Sequence, residues 1–100
     1  MTYQPGQTVW VDARWPLREQ AIVVDDVVEL CGNQIVVTAA GDALIIAVQP
    51  GPVREVVKHG KWGHSESKKD SRGIALMVLL PQGTFGWIKS DGRYPQVTSE

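Results

Sequence analysis

The chain reads as a small all-β domain, an antiparallel sheet bent back on itself around an apolar interior. Three observations predict this. Valine and isoleucine together number 20 against 6 leucines, and β-branched side chains, stiff at χ1, suit a pleated surface better than a helix. The apolar residues come in short runs separated by Gly, Pro, Asn and Asp, the punctuation of strands joined by tight turns. A length of 100 residues, 43% apolar and 21% charged, is the make-up of one globular domain and excludes a disordered acidic or basic tail.

Taken in order, Pro5-Gly6 turns into a first strand over 8–13, with Val9, Val11 and Ala13 on one face and Thr8, Trp10 and Asp12 on the other. Residues 16–21 read as a loop. Residues 20–30 read as one long strand, apolar on both faces at Ala21, Ile22, Val23 and Val24, with a strong bend or bulge at Asp25-Asp26 that turns both carboxylates to water. Gly32-Asn33 has the Gly-first order of a type II′ hairpin turn and leads into a strand over 34–38. Ala40-Gly41-Asp42 turns into 43–48, which Pro50-Gly51-Pro52 closes. Residues 52–59 carry the one helical signature: Pro at the first position, Val53, Val56 and Val57 at i, i+3 and i+4, and Gly60 as the stop. Residues 61–73 have no periodicity and read as a mobile loop. Residues 74–80 are apolar throughout, which predicts a central or covered strand. Pro81 and Gly83 sit at the second and fourth positions of a type I turn, and a strand follows over 85–89. Ser90-Asp91-Gly92 then turns into an edge segment. The expected organisation is a single domain, 1–100, with a barrel over 5–57, a mobile basic loop over 58–73 and a C-terminal hairpin extension over 74–97.

The spacing of elements over 5–57 resembles the SH3-like small barrels of the Tudor, agenet and KOW kind. The residues that carry the likeness are the first strand Pro5-Gly6-Gln7-Thr8-Val9-Trp10-Val11, the long bent strand from Ala21-Ile22-Val23-Val24, and the hairpin to Ile35-Val36-Val37. The Gly41-Asp42 turn, the strand beginning at Leu44 and the closure at Val53-Arg54-Glu55-Val56 complete it. The resemblance implies an SH3-like antiparallel barrel that serves as a binding module. Members that grip methylated side chains use an aromatic cage partly from the second and third strands. Residues 21–30 and 34–38 hold no aromatic here, so the likeness stops short of that ligand.

The residues most open to a binding role are aromatic and basic. Of four tryptophans, Trp15 and Trp62 fall in loops, where an indole is seldom placed without a partner, while Trp10 and Trp87 fall in strands and fit either core or surface. Lys58, Lys61, Lys68, Lys69 and Arg72 surround Trp62; cations neutralise phosphates and an indole stacks on a base. The charge is asymmetric. Residues 1–50 hold two cations and six anions, and residues 51–100 eight cations and five anions. A pI of about 6.1 lies far below the ~9 typical of dedicated nucleic-acid binders. His59 and His64 lack the further ligands of a zinc site, and no nucleophile, base and orienting group stand in a catalytic pattern. The expectation is therefore a non-catalytic module without cofactor or metal, recognising a protein or peptide through Trp15 and Trp62. The alternatives are a nucleic-acid-binding accessory protein using 58–72, and a homo-oligomeric structural or assembly protein pairing through 74–80. A single cysteine and the lack of any apolar run near the ~20 residues of a bilayer span predict a cytoplasmic protein with no membrane role.

Overall fold

A computed structural model describes the backbone of residues 3–59 and 65–99 and the side chains of residues 3–55 and 70–99. The described chain is all-β, with no helix. Its strands are β1 (Thr8–Val11), β2 (Pro16–Val24), β3 (Val27–Val36), β4 (Gly41–Pro50), β5 (Val53–His59), β6 (Ser65–Ser71), β7 (Ile74–Leu79) and β8 (Phe85–Ser90). They form one sheet in the order β1-β4-β7-β8-β2-β3-β5-β6. Every neighbouring pair is antiparallel except β3 and β5, which run parallel. The order has two ends, so the sheet is not closed.

Several expectations are corrected. Residues 16–21 are the first two thirds of β2 rather than a loop, because Leu17 is fully buried and the strand pairs with both β3 and β8. Asp25-Asp26 is a two-residue hairpin turn rather than a bend within one strand. Val24 pairs with Val27, and the two aspartates have φ of 51° and 63°, the left-handed pair that a type I′ turn demands and short polar side chains tolerate. Gly32-Asn33 makes no hairpin: β3 runs through it, and the two residues oppose the single Glu19 in a bulge. Gly32 has φ +84°, a left-handed backbone that glycine adopts without the steric cost of a Cβ.

The helical reading of 52–59 also fails. Its valines serve β5, which lies between β3 and β6 with Val53 fully buried; burial against a sheet overrides a short helical spacing. Within the expected loop, residues 65–71 form β6. Its register sets Glu66 opposite Lys58, Lys69 opposite Glu55 and Asp70 opposite Arg54, and opposite charges across a strand pair favour pairing. Residues 60–64, with Lys61 and Trp62, lie outside the described residues. The hairpin over 74–97 is not added at an edge, since β7 and β8 are inserted between β4 and β2. Other expectations hold. Val9 and Val11 are buried beneath an exposed Trp10, β7 is paired on both sides, and the 80–83 turn closes with Gly83 N–H donating to Leu80 O at 2.9 Å.

Two cores lie on opposite faces of the sheet. The first gathers Val9 and Val11 of β1, Ala43 and Ile45 of β4, Leu76 and Val78 of β7 and Leu17 of β2, with Tyr3, Val37 and Leu80. Five strands thus curl around one interior, and each large aliphatic side chain withdrawn from water there contributes roughly 1.5–3 kcal/mol. The second core takes the alternate residues of the same wall, Ala75 of β7 and Trp87 of β8, with Ala21 of β2, Val28 and Leu30 of β3 and Val53 of β5. Leu17 and Ala21 would share a face in an unbroken strand; here they lie in different cores, and the register irregularity against β3 falls between them. The sheet is therefore S-shaped in section, and β7, β8 and β2 form the wall common to both curls. The second curl closes where Gly51 N–H donates to Gly73 O at 3.0 Å and Val28 N–H to Pro52 O at 2.9 Å.

The β1 edge is covered by the C-terminal segment. Trp10 N–H donates to Gln96 O and Thr98 N–H to Thr8 O, and Val9 bridges Val97, so these edge groups are not left open to another strand. No helix among the described residues is long and apolar enough to cross a membrane.

Candidate functional site

A cleft of about 740 Å³ opens where the common wall passes from one curl to the other, within the size range of small-ligand and side-chain pockets. Its floor is a cross-strand row. Arg18 of β2 stands directly between Trp87 of β8 and Gln34 of β3. Beyond one end of that row lie Leu30 and Glu55, themselves register partners. Toward the other end come Lys89, two residues along β8, then Pro16 at the start of β2 and Trp15 before it, and Tyr94 and Pro95 after β8. The lining thus runs from one acid, past two cations, to a cluster of aromatic rings and prolines.

Each wall is held by local chemistry. Trp15 is half-buried against the first core, and its carbonyl accepts from Val37 N–H at 3.2 Å. The turn carrying Tyr94 is built on Asp91, whose Oδ1 accepts from Arg93 N–H at 2.8 Å and Tyr94 N–H at 3.0 Å. These backbone donors, Tyr94 first, hold the Asp91 carboxyl below its ordinary value. The fully buried Ser90 accepts through Oγ from Gly92 N–H at 3.1 Å. Tyr3 pins the following residue, donating its hydroxyl to Pro95 O at 2.9 Å. Tyr94 itself is 59% exposed, so its ring is offered to solvent from an anchored backbone.

Arg18 carries the strongest polar signal in the cleft. Its Nε is buried and has no hydrogen-bond partner among the described residues. A donor left in that state costs roughly 1–3 kcal/mol, more when charged, and such atoms are rare in folded chains. The Arg54 guanidinium differs: its Nε donates to Asp70 Oδ1 at 2.6 Å and Nη1 lies 3.7 Å from Glu29, completing a β3–β5–β6 charge row. That pairing lowers the Asp70 carboxyl, chiefly through the hydrogen bond from Arg54.

Of the residues singled out from sequence, Trp15 lines the cleft. Arg72 is exposed between β6 and β7, apart from the cleft lining. Lys58, Lys68 and Lys69 are placed by backbone in β5 and β6, while their side chains, and all of Trp62 and Lys61, lie outside the described residues. Arg18, Trp87, Lys89 and Tyr94 were not singled out as a group. Trp87 and Lys89 stand two apart in a strand and so share a face, a legible signal; Arg18 was hidden by the loop reading of 16–21. Among the described residues no three His, Cys, Asp or Glu side chains converge as metal ligands, and Cys31 is a half-buried free thiol within β3.

Comparison with protein-family models, curated proteins and solved structures gives no match for this chain.

Proposed function

We propose that the protein is a non-catalytic binding module that takes a peptide segment of a partner in the cleft between Trp15, Trp87 and Tyr94. The observation that carries this reading is the grouping of three aromatic rings and two prolines around one open cleft on an anchored backbone. Rigid aromatic side chains supply large contact area at low entropic cost and dominate protein-recognition hot spots. The likeness to SH3-like barrels rests on residues 5–57, whereas the curl β1-β4-β7-β8-β2 around the first core draws two of its strands from 74–90; the cleft needs only this curl as its scaffold. Trp62 and the cations around it belong to the same reading as a further contact for the partner.

The test is selection of binders from a random peptide library on the wild-type protein, followed by titration of the selected peptides against Tyr94→Ala and Trp15→Ala. Tyr94 is mostly exposed, so its removal leaves both cores intact. Loss of about tenfold or more in affinity for each variant is expected, as for a central aromatic anchor. Selected peptides that bind wild type and both variants equally place the binding surface elsewhere and refute the reading.

A further inference from the structure

We infer that the segment bound in this cleft is an extended acidic peptide, with two carboxylates spaced i and i+2 held by Arg18 and Lys89 and a large apolar side chain set against Trp15 and Tyr94. The inference rests on the binding-module reading and adds the chemistry of the partner. Arg18 supplies the first argument: it is half-buried, it lines the cleft, and its Nε finds no acceptor among the described residues. A carboxylate is the acceptor a guanidinium fits best, through paired N–H groups in one plane.

Spacing supplies the second argument. Arg18 stands opposite Trp87, and Lys89 lies two residues further along β8. At about 3.3 Å per residue the two cations are offset by about 7 Å along the strand, the interval between same-face side chains of an extended peptide. A peptide lying along β8 therefore meets Arg18 and Lys89 with alternate residues. Its next position reaches the aromatic end at Trp15, Tyr94 and Pro95.

Charge selects a peptide over a nucleic acid. The cleft lining offers two cations against Glu55, enough for two carboxylates but not for a continuous phosphate backbone, whose binding scales with the number of phosphates neutralised.

The experiment titrates three fluorescein-labelled probes by anisotropy: a nonapeptide containing Glu-Ala-Glu-Ala-Leu, its Gln-Ala-Gln-Ala-Leu counterpart, and a thymidine oligonucleotide of equal length. The proteins are wild type, Arg18→Gln, Arg18→Lys, Lys89→Gln and Tyr94→Ala. The acidic peptide is expected to bind at least tenfold more tightly than the amide peptide. Arg18→Gln should weaken it by roughly 10- to 100-fold, the weight of a charge-assisted bond, with Arg18→Lys recovering part of the loss and Lys89→Gln losing less. Equal affinity for the acidic and amide peptides, indifference to both Arg18 variants, or tighter binding of the oligonucleotide overturns the inference. If the amide peptide binds equally and Tyr94→Ala abolishes it, only the charge inference falls. If neither these peptides nor library-selected ones bind in a Tyr94-dependent way, the binding-module reading falls with it. A failure of Arg18→Gln to fold leaves the peptide comparison, Arg18→Lys and Lys89→Gln to decide.

Discussion

Replacing Gly51 by alanine probes the point at which the second curl closes. A Cβ built on Gly51 stands 2.2 Å from Gly73 O and 3.0 Å from Gly73 C, more than 1 Å inside the roughly 3.5 Å at which non-bonded heavy atoms come to rest. The obstacle is backbone, so no rotamer relieves it. The two segments are already joined by the 3.0 Å hydrogen bond from Gly51 N–H to Gly73 O, and a separation of about 1 Å carries that bond beyond the ~3.2 Å limit of useful geometry. Losing it costs about 1 kcal/mol, and overpacking costs about 1–3 kcal/mol. The smaller entropy of an unfolded alanine offsets roughly 0.4–1 kcal/mol. The net destabilisation is about 1–3.5 kcal/mol, a large share of the roughly 5–15 kcal/mol available to a domain of this size. It corresponds to a fall in Tm of roughly 4–28 °C at 4–8 °C per kcal/mol. Guanidinium unfolding followed by tryptophan fluorescence measures it, with Val23→Ala as reference, a tip residue 57% exposed whose loss should stay within about 0.5 kcal/mol. A Gly51→Ala midpoint indistinguishable from that of Val23→Ala would refute the close approach of the two segments.

Two further outcomes follow from the same geometry. Leu17→Ala removes a fully buried side chain from the first core and should cost about 2–5 kcal/mol, measured by the same unfolding curves; a loss below about 1 kcal/mol would mean that β2 does not seat in that core. The carboxyls of Asp91 and Asp70 are both lowered, by backbone donors and by Arg54 respectively. Their contribution to stability is complete above the ordinary aspartate value of 3.8 and is lost as pH falls through their lower folded values. Carboxyl carbon shifts in an NMR titration should place both midpoints below 3.8, Arg54→Gln should return Asp70 toward it while leaving Asp91 unmoved, and ordinary midpoints in the wild type would contradict the two hydrogen-bond sets.

How much of this was legible in the sequence depended on whether a signal was local. The alternation at Val9, Trp10 and Val11, the Pro81–Gly83 turn and the continuous apolar run of β7 are fixed by neighbours along the chain, and they read correctly. What misled was punctuation whose meaning depends on a distant strand. Gly32-Asn33 carries hairpin chemistry, yet Arg18 and Gln34 are held in register across it, so the glycine serves a bulge and Asp25-Asp26 serves the turn. Likewise Val53, Val56 and Val57 have helical spacing, and only the pairing with β3 and β6 makes them strand residues. Trp15 could be singled out alone because a loop indole is conspicuous. Arg18, Trp87 and Tyr94 could not be joined to it, because β8 is brought against β2 by a strand order that no local pattern encodes.

The position of the cleft follows from the shape of the sheet. A wall with a core on each face has to change, along its length, which side its apolar residues serve. In β2 that change falls between Leu17 and Ala21, at the bulge opposite Gly32-Asn33. Near such a crossing neither core fully covers the wall, and a side chain can be left half-buried with a polar atom unpaired among the described residues, as Arg18 is. The floor there is nevertheless rigid, because Trp87 packs against one core and its neighbour Ile88 against the other. A binding site gains from this combination of an uncovered face and a backbone fixed from both sides, since contacts held by packed strands lose little entropy when a ligand arrives. The unpaired Arg18 Nε and the aromatic cluster thus share one structural cause: both stand where an S-shaped sheet passes from its first interior to its second.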